Sequence, residues 1–464
     1  MKKILIIGMD GLQMSQINKL NMPNLLKFQN KGFSFKNHHS SFPTVTRTNV
    51  ASIVSGVNPG THGILGNNMV FREYNKNKVF PVMYPEMKKI HESGKNIVLT
   101  PTLSDIAESN NLSLMVLNSG TSGNALIQNL GILNNKNITF HRDIPVQKNQ
   151  NYQINTIWPK QEIPDINSNN HIIEIIENLD SNDLSDISII WLDEPDKSQH
   201  NCGIDSNQSI TALKNNDKIL KKILDVIDQN QFTPYIFLVS DHGYSKIKKT
   251  IDITKELACD FPGYLFAENG GSFLVYSKEN KIFDPILINE IISKSWAGVI
   301  ITGNNKINYN GIHNYDLLYS SGMRNPDLFV SMNWNKLDES ENTKGELFST
   351  NLQKNKGNHG SISPQEINCS LIINGPDINN GDETFLPSGN IDILPTILHL
   401  LNIKIPAYIE GRVLTEIFER TENNDYDILK LPLTTKTPSG EYMQALQISL
   451  YKNYKYLDYG YVEK

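Results

Sequence analysis

The sequence predicts an α/β protein: a mostly parallel central sheet flanked by helices, with an α+β cap inserted into it. Three observations carry that prediction. Short, strongly apolar runs rich in β-branched residues recur at 3–10, 186–192 and 235–240, the pattern of strands buried on both faces. Residues at helical spacing lie between them, above all at 210–228, and this alternation implies parallel strands joined by helical crossovers. From 249 to 352 the alternation gives way to strand-like pieces among Asn- and Gly-rich loops, as expected of an insertion.

The first run ends in Met9-Asp10-Gly11. An open parallel sheet presents its chemistry at the carboxyl ends of its strands, so Asp10 is well placed for a site. A helix follows at 22–28 with Pro23 in its first turn, then a strand at 33–35. Residues 41–67, SFPTVTRTNVASIVSGVNPGTHGILGN, join a hydroxyl-rich turn to a short helix that presents Val50, Ile53, Val54 and Val57. A hydroxyl at the mouth of a helix lies where free N–H groups and the dipole favour an anion. The plainer role of Thr44, Thr46, Thr48 and Asn49 is capping. A helix begins within 99–107, a strand at 112–117 enters a small-residue turn at 118–123, and 131–168 reads as irregular surface. After a helix at 171–179, strand 186–192 enters Asp193-Glu194-Pro195-Asp196, and strand 235–240 enters Asp241-His242-Gly243. His359 stands in a glycine-flanked loop before a strand at 370–374 and a core helix at 391–401. The expected organisation is a core at 1–248 and 353–420, a cap at 249–352 and a β extension at 421–464.

The chain has 464 residues and a net charge of −6, which argues against a nucleic-acid polymer or an anionic membrane as partner. No apolar run approaches a membrane span, and the run at 4–7 meets Asp10 with no cleavage site, so it reads as a strand and not a leader. Cys202, Cys259 and Cys369 are few and widely spaced, which suggests a reducing compartment and a cytoplasmic location. Positive charge for an anionic substrate would then have to be local, and bound metal ions supply it compactly.

The candidate ligands stand at or just after strand ends. Asp10, Asp241 and His242 form one group, with the Thr46 oxygen as a fourth ligand. Asp196 and His200, four residues apart on one helical face, form another with His359. Asp and His are the ligands zinc takes when thiolate is absent. Two divalent ions would make the Thr46 hydroxyl nucleophilic, hold the leaving oxygen and neutralise the transition state. Any one of these residues has an equally good structural explanation; seven in this order do not.

The segments MDG (9–11), PTVTRTN (43–49), SGVNPGTHGILGN (55–67), DEPDKSQH (193–200), SDHG (240–243), NHG (358–360), DILPTIL (392–398) and EGRVL (410–414) resemble the alkaline phosphatase superfamily, in its nucleotide pyrophosphatase/phosphodiesterase branch. The resemblance implies an alkaline phosphatase-like fold and two Zn²⁺, one on Asp196, His200 and His359, the other on Asp10, Thr46, Asp241 and His242. It also implies that Thr46 becomes phosphorylated, with Asn49 and the N–H of Thr46 or Arg47 donating to a phosphoryl oxygen. Arg47 and Thr48 depart from the branch, which usually carries an aromatic residue and Pro, or Asn and Pro, there. Arg47 would either reach a second charged group on the substrate or point to solvent, and Thr44 is the rival nucleophile. The implied activity is hydrolysis of a small phosphodiester or pyrophosphate. HGSIS at 359–363 is similar to phosphonoacetate hydrolases, so a C–P or monoester hydrolase is the alternative. A sulfatase frame is absent, and the intact ligand set argues against an inactive binding homologue. Outside the set, His62 is expected to order its loop, Asp193 and Glu194 to shape their turn, His399 to sit in a helix core and Cys202 to be a small buried residue. The neighbours of His38 and His39 offer them no evident partner.

Overall fold

The computed structural model describes residues 2–134, 136–145, 166–177, 185–229, 233–278, 283–303, 307–335, 345–418 and 428–464. The central sheet is built on β1 (Ile4–Met9), β2 (Phe33–His39), β3 (Leu114–Asn118), β4 (Ile138–Phe140), β5 (Ile187–Leu192), β6 (Tyr235–Val239) and β7 (Asn368–Asn374). Their order is β2-β7-β6-β1-β5-β3-β4. β1 runs parallel to β5 and β6, and β3 parallel to β5 and β4, while β7 is antiparallel to both β2 and β6. The mostly parallel α/β architecture is as expected.

The continuous apolar runs have a direct explanation. Ile4 and Ile6 of β1 enter the core on one face of the sheet, and Leu5, Ile7 and Met9 enter the core on the other. All five are at most 6 % exposed, and each such side chain contributes about 1.5–3 kcal/mol of burial. Helix α1 (Thr46–Ser55) packs Val50, Ile53 and Val54 into the first core, and α3 (Asn207–Gln229), which follows α2 (Asp196–Cys202), packs Leu213, Leu220 and Ile223 into the second.

The residues expected to form the cap carry a five-stranded sheet in which Ser272–Ser277 and Ala297–Thr302 flank Leu328–Met332, both antiparallel to it. The expected boundary at 248 falls inside the strand Ser245–Thr250, which pairs with both Glu346–Ser349 and Gly357–Asn358 and so ties both ends of the insertion to the core. Three antiparallel strands, Ile428–Lys436, Met443–Tyr451 and Tyr454–Glu463, form the C-terminal extension. Within 131–168, read as irregular, β4 and the helix Ile166–Glu177 appear; residues 135 and 146–165 lie outside the described ones, as does the end of the helix expected at 171–179. Among the described residues no helix is long and apolar enough to cross a membrane.

Four smaller expectations need correction or completion. His399 is exposed on the outer face of the helix Ile393–Leu400, against the Phe418 ring, and Cys202 is half-buried because it ends α2 at the surface. His38 and His39 have partners brought from far along the chain: Ser388 and Asn390 for His38, the Ser388 carbonyl and Asp458 for His39.

Candidate active site

The carboxyl ends of β1, β5 and β6 lie side by side and deliver Asp10, the turn into Asp196, and Asp241-His242 to one place. Gly8 helps set this geometry. A Cβ there would stand 2.0 Å from the Trp191 ring, whose Nε1 donates to Asp10 Oδ2 at 3.1 Å. His359 enters from the loop after Gly357–Asn358, and Thr46 from the first turn of α1.

These side chains meet. Asp196 Oδ1 is 3.4 Å from the Nε2 atoms of both His200 and His359, which are 3.1 Å apart. His242 Nε2 lies 3.2 Å from Asp241 Oδ2, 3.6 Å from Asp10 Oδ1 and 3.2 Å from Thr46 Oγ1. The His242 and His359 rings stack with centroids 3.6 Å apart, so His242 falls within reach of both groups, Asp196–His359 and Asp10–Asp241.

The donor chemistry suits cations. Each histidine has its Nδ1 against a backbone carbonyl: Gly357 for His200, Gly243 for His242 and Thr44 for His359. Donation there leaves the Nε2 lone pairs pointing at one another and at the carboxylates. Asp10 Oδ1 and Asp241 Oδ2 are buried with no hydrogen-bond partner. Burial and the Asp241 charge push Asp10 well above the usual carboxylate range, and burial with Asp196 pushes Asp241 up to about 7. Burial holds His242 well below its ordinary value and His200 at about 4, whereas Asp196, despite burial, is held low by His200 and His359. Despite burial, Asp196 pushes His359 above its ordinary value; orphaned carboxylate oxygens beside the neutral imidazoles of His200 and His242 are what divalent ions complete.

Thr46 lines a cleft of about 280 Å³ together with Asp10, Asp196, His200 and His359. Thr44 does not. Its fully buried hydroxyl faces Ser361 O at 2.7 Å and Glu366 Oε2 at 3.1 Å and accepts from Gly360 N–H. Asn49, expected as a phosphoryl donor, has its side chain turned to the backbone. Its Nδ2 faces the carbonyls of Ser41, Pro43 and Val45, and its Oδ1 accepts from Ser41 N–H and Asn390 Nδ2. The N–H of Arg47 is likewise spent, on Asn67 Oδ1 at 3.2 Å. Asn67 lines the cleft, and the signal for it was the last letter of the 55–67 segment. The Arg47 side chain lines the cleft too, with Nη2 against Met83 Sδ and Nε buried without a partner. Arg142 and Lys197 add two further cations to the same wall.

Residues 4–360 match the profile of the family described as type I phosphodiesterase / nucleotide pyrophosphatase. The chain belongs to that family. The type I phosphodiesterase relatives include Bis(5'-adenosyl)-triphosphatase enpp4 of Xenopus laevis, 23% identical over 68% of this chain and 69% of that protein. Ectonucleotide pyrophosphatase/phosphodiesterase family member 1 of Mus musculus is 24% identical over 54% of this chain, but the match spans only 25% of that longer protein. The fold is similar to murine ectonucleotide pyrophosphatase/phosphodiesterase 5, solved as an inactive form in complex with AMP (TM-score 0.66, 16% identity, 88% of this chain and 96% of that one). As a type I phosphodiesterase family member, the chain has the alkaline phosphatase-like α/β fold.

Proposed function

We propose that this protein is a two-metal hydrolase that cleaves a phosphodiester or pyrophosphate bond of a small nucleotide-like substrate through a phosphothreonine intermediate at Thr46. The observation that carries the reading is the gathering of orphaned buried carboxylate oxygens and imidazole Nε2 atoms around the Thr46 hydroxyl, which lines the cleft at the mouth of α1. Asp196, His200 and His359 would hold one ion, and Asp10, Asp241, His242 and Thr46 the other, zinc being the metal this donor set suits. Bound ions supply Lewis acidity: a lower pKa for the nucleophile and neutralisation of the charge that develops around phosphorus.

The chain's own residues do the rest. Thr46 Oγ forms the new P–O bond as the bond to the leaving oxygen breaks on the opposite side. The leaving group departs with a proton, and water then cleaves the Thr46–phosphoryl bond. Asn67, its Oδ1 held by the Arg47 N–H, has its Nδ2 left to donate to a phosphoryl oxygen. Arg47 favours a substrate with a second anionic group, with Arg142 and Lys197, beside Asp143 and Asp193, lining the same cleft, and it is this feature that keeps a carboxylate-bearing phosphonate as the second reading.

The test is steady-state hydrolysis by zinc-loaded protein of a nucleoside p-nitrophenyl phosphate, bis-p-nitrophenyl phosphate, p-nitrophenyl phosphate and phosphonoacetate. Preference for the nucleotide diester supports the proposal. Preference for phosphonoacetate or the monoester keeps the metal site and overturns the substrate.

A further inference from the structure

One buried residue lies against the segments that carry Asp10, Asp196 with His200, His242 and His359, and is outside the ligand set. Tyr244 directly follows Asp241-His242-Gly243 and is fully buried. Its ring centroid lies 5.2 Å from those of His200 and His359 and 6.0 Å from that of His242. Its hydroxyl faces two acceptors of Asp196, Oδ1 at 2.6 Å and the main-chain carbonyl at 3.0 Å, and donates over the shorter distance to Oδ1. That is the oxygen facing the Nε2 atoms of His200 and His359.

The surrounding chain makes room for the ring. A Cβ at Gly11 would come within 2.7 Å of Tyr244, and one at Gly357 within 2.8 Å. These glycines belong to the loops that carry Asp10 and His359. The Tyr244 carbonyl accepts from Gln13 Nε2 and its N–H donates to Gln365 O, so its backbone is fixed as firmly as its ring. Bulk alone would need only Phe or Leu. A buried phenol needs an acceptor, and it has been given a candidate ligand carboxylate.

We propose that Tyr244 is a positioning residue for one of the two metal ions. Its O–H fixes Asp196 so that Oδ1 faces His200 and His359, and it thereby sets the affinity and coordination of the ion those three residues hold. The ion on Asp10, Asp241 and His242 has no such dependence, because the Tyr244 hydroxyl contacts none of them. The inference rests on the two-metal reading above. Groups that hydrogen-bond a ligand from behind typically change metal affinity or activity by about 10–100-fold when removed.

The test is Co²⁺ titration of the metal-free full-length chain, wild type and Tyr244→Phe, followed by d–d absorption and by competition with a chromophoric chelator. Thermal unfolding is measured alongside. The expected result is two binding steps in the wild type, one of them weakened about tenfold in Tyr244→Phe with an altered spectrum, the other unchanged. Tyr244→Met, which also fills the buried space without a hydroxyl, should weaken the same step, and it decides the matter if Tyr244→Phe does not fold. Both steps unchanged, or both weakened equally, would overturn the proposal by making Tyr244 a packing residue only. A wild type that binds fewer than two ions fails the two-metal reading itself, before any variant is compared, and the proposal falls with it.

Discussion

Glu366 should be the buried group on which the geometry of the nucleophile turn most depends. Fully buried, it accepts from Ser361 N–H at 2.6 Å and Ser361 Oγ at 2.7 Å, with Thr44 Oγ1 at 3.1 Å. Thr44 in turn receives the Gly360 N–H on its hydroxyl and the His359 ring on its carbonyl at 2.7 Å. One carboxylate therefore fastens the loop bearing a candidate ligand to the turn bearing Thr46. Glu366→Gln keeps the shape but turns at least one acceptor into a donor facing another donor. Burial raises the Glu366 carboxyl above its ordinary value, and leaving a buried donor without its acceptor costs about 1–3 kcal/mol, which is the destabilisation expected. The assay is urea unfolding, read as a lower midpoint at constant m value, with zinc affinity measured on the same samples. Zinc affinity should fall too, since the seat of His359 Nδ1 moves with Thr44. An unchanged midpoint together with unchanged zinc affinity would refute the reasoning.

Asn67→Ala should lower kcat by about 10²–10³-fold and, by freeing the Arg47 N–H, cost only about 1 kcal/mol of stability. Asn49→Ala should instead lower stability, because its amide satisfies the backbone of the turn; a melting curve beside the rate separates the two. Stripping the metal with a chelator should lower Tm, since an ion present at about 100 times its Kd stabilises by about 2.7 kcal/mol, and Zn²⁺ should restore it. Burial holds His38 and His62 at about 3, so both stay neutral in the fold while the unfolded chain takes up protons below about 6.5. Their contribution to stability is complete above that value. It is lost as pH falls toward 3, by about 1.4 kcal/mol per unit for each group, and His62→Asn should make the fall in a pH series of urea midpoints shallower by one proton's worth.

Much of the site could be read from the sequence because its residues sit where a parallel sheet must deliver them. Asp10, Asp241 and His242 follow β1 and β6 directly, and the apolar runs that announce those strands are buried on both faces. The three residues of β4, set among Asn and Lys, carry no such pattern, and only pairing with β3 makes them a strand. Asn49 and Asn67 show the other limit. Both lie in the same segment of sequence, and nothing local says which amide is consumed by the backbone; Asn390, 341 residues away, helps decide it. The partners of His38 and His39 are equally distant in the chain, whereas His399 departs from its expected core position because it falls on the one exposed face of an otherwise apolar helix.

The measurement that bears most directly on the central claim is acid quench of the zinc-loaded protein during turnover of a nucleoside p-nitrophenyl phosphate, followed by peptide mass spectrometry. The account predicts that the retained phosphoryl fragment is found on the peptide containing Thr46, localised to that residue, and that Thr46→Ala abolishes both the adduct and turnover. An adduct on Thr44, or undiminished turnover by Thr46→Ala, would contradict it.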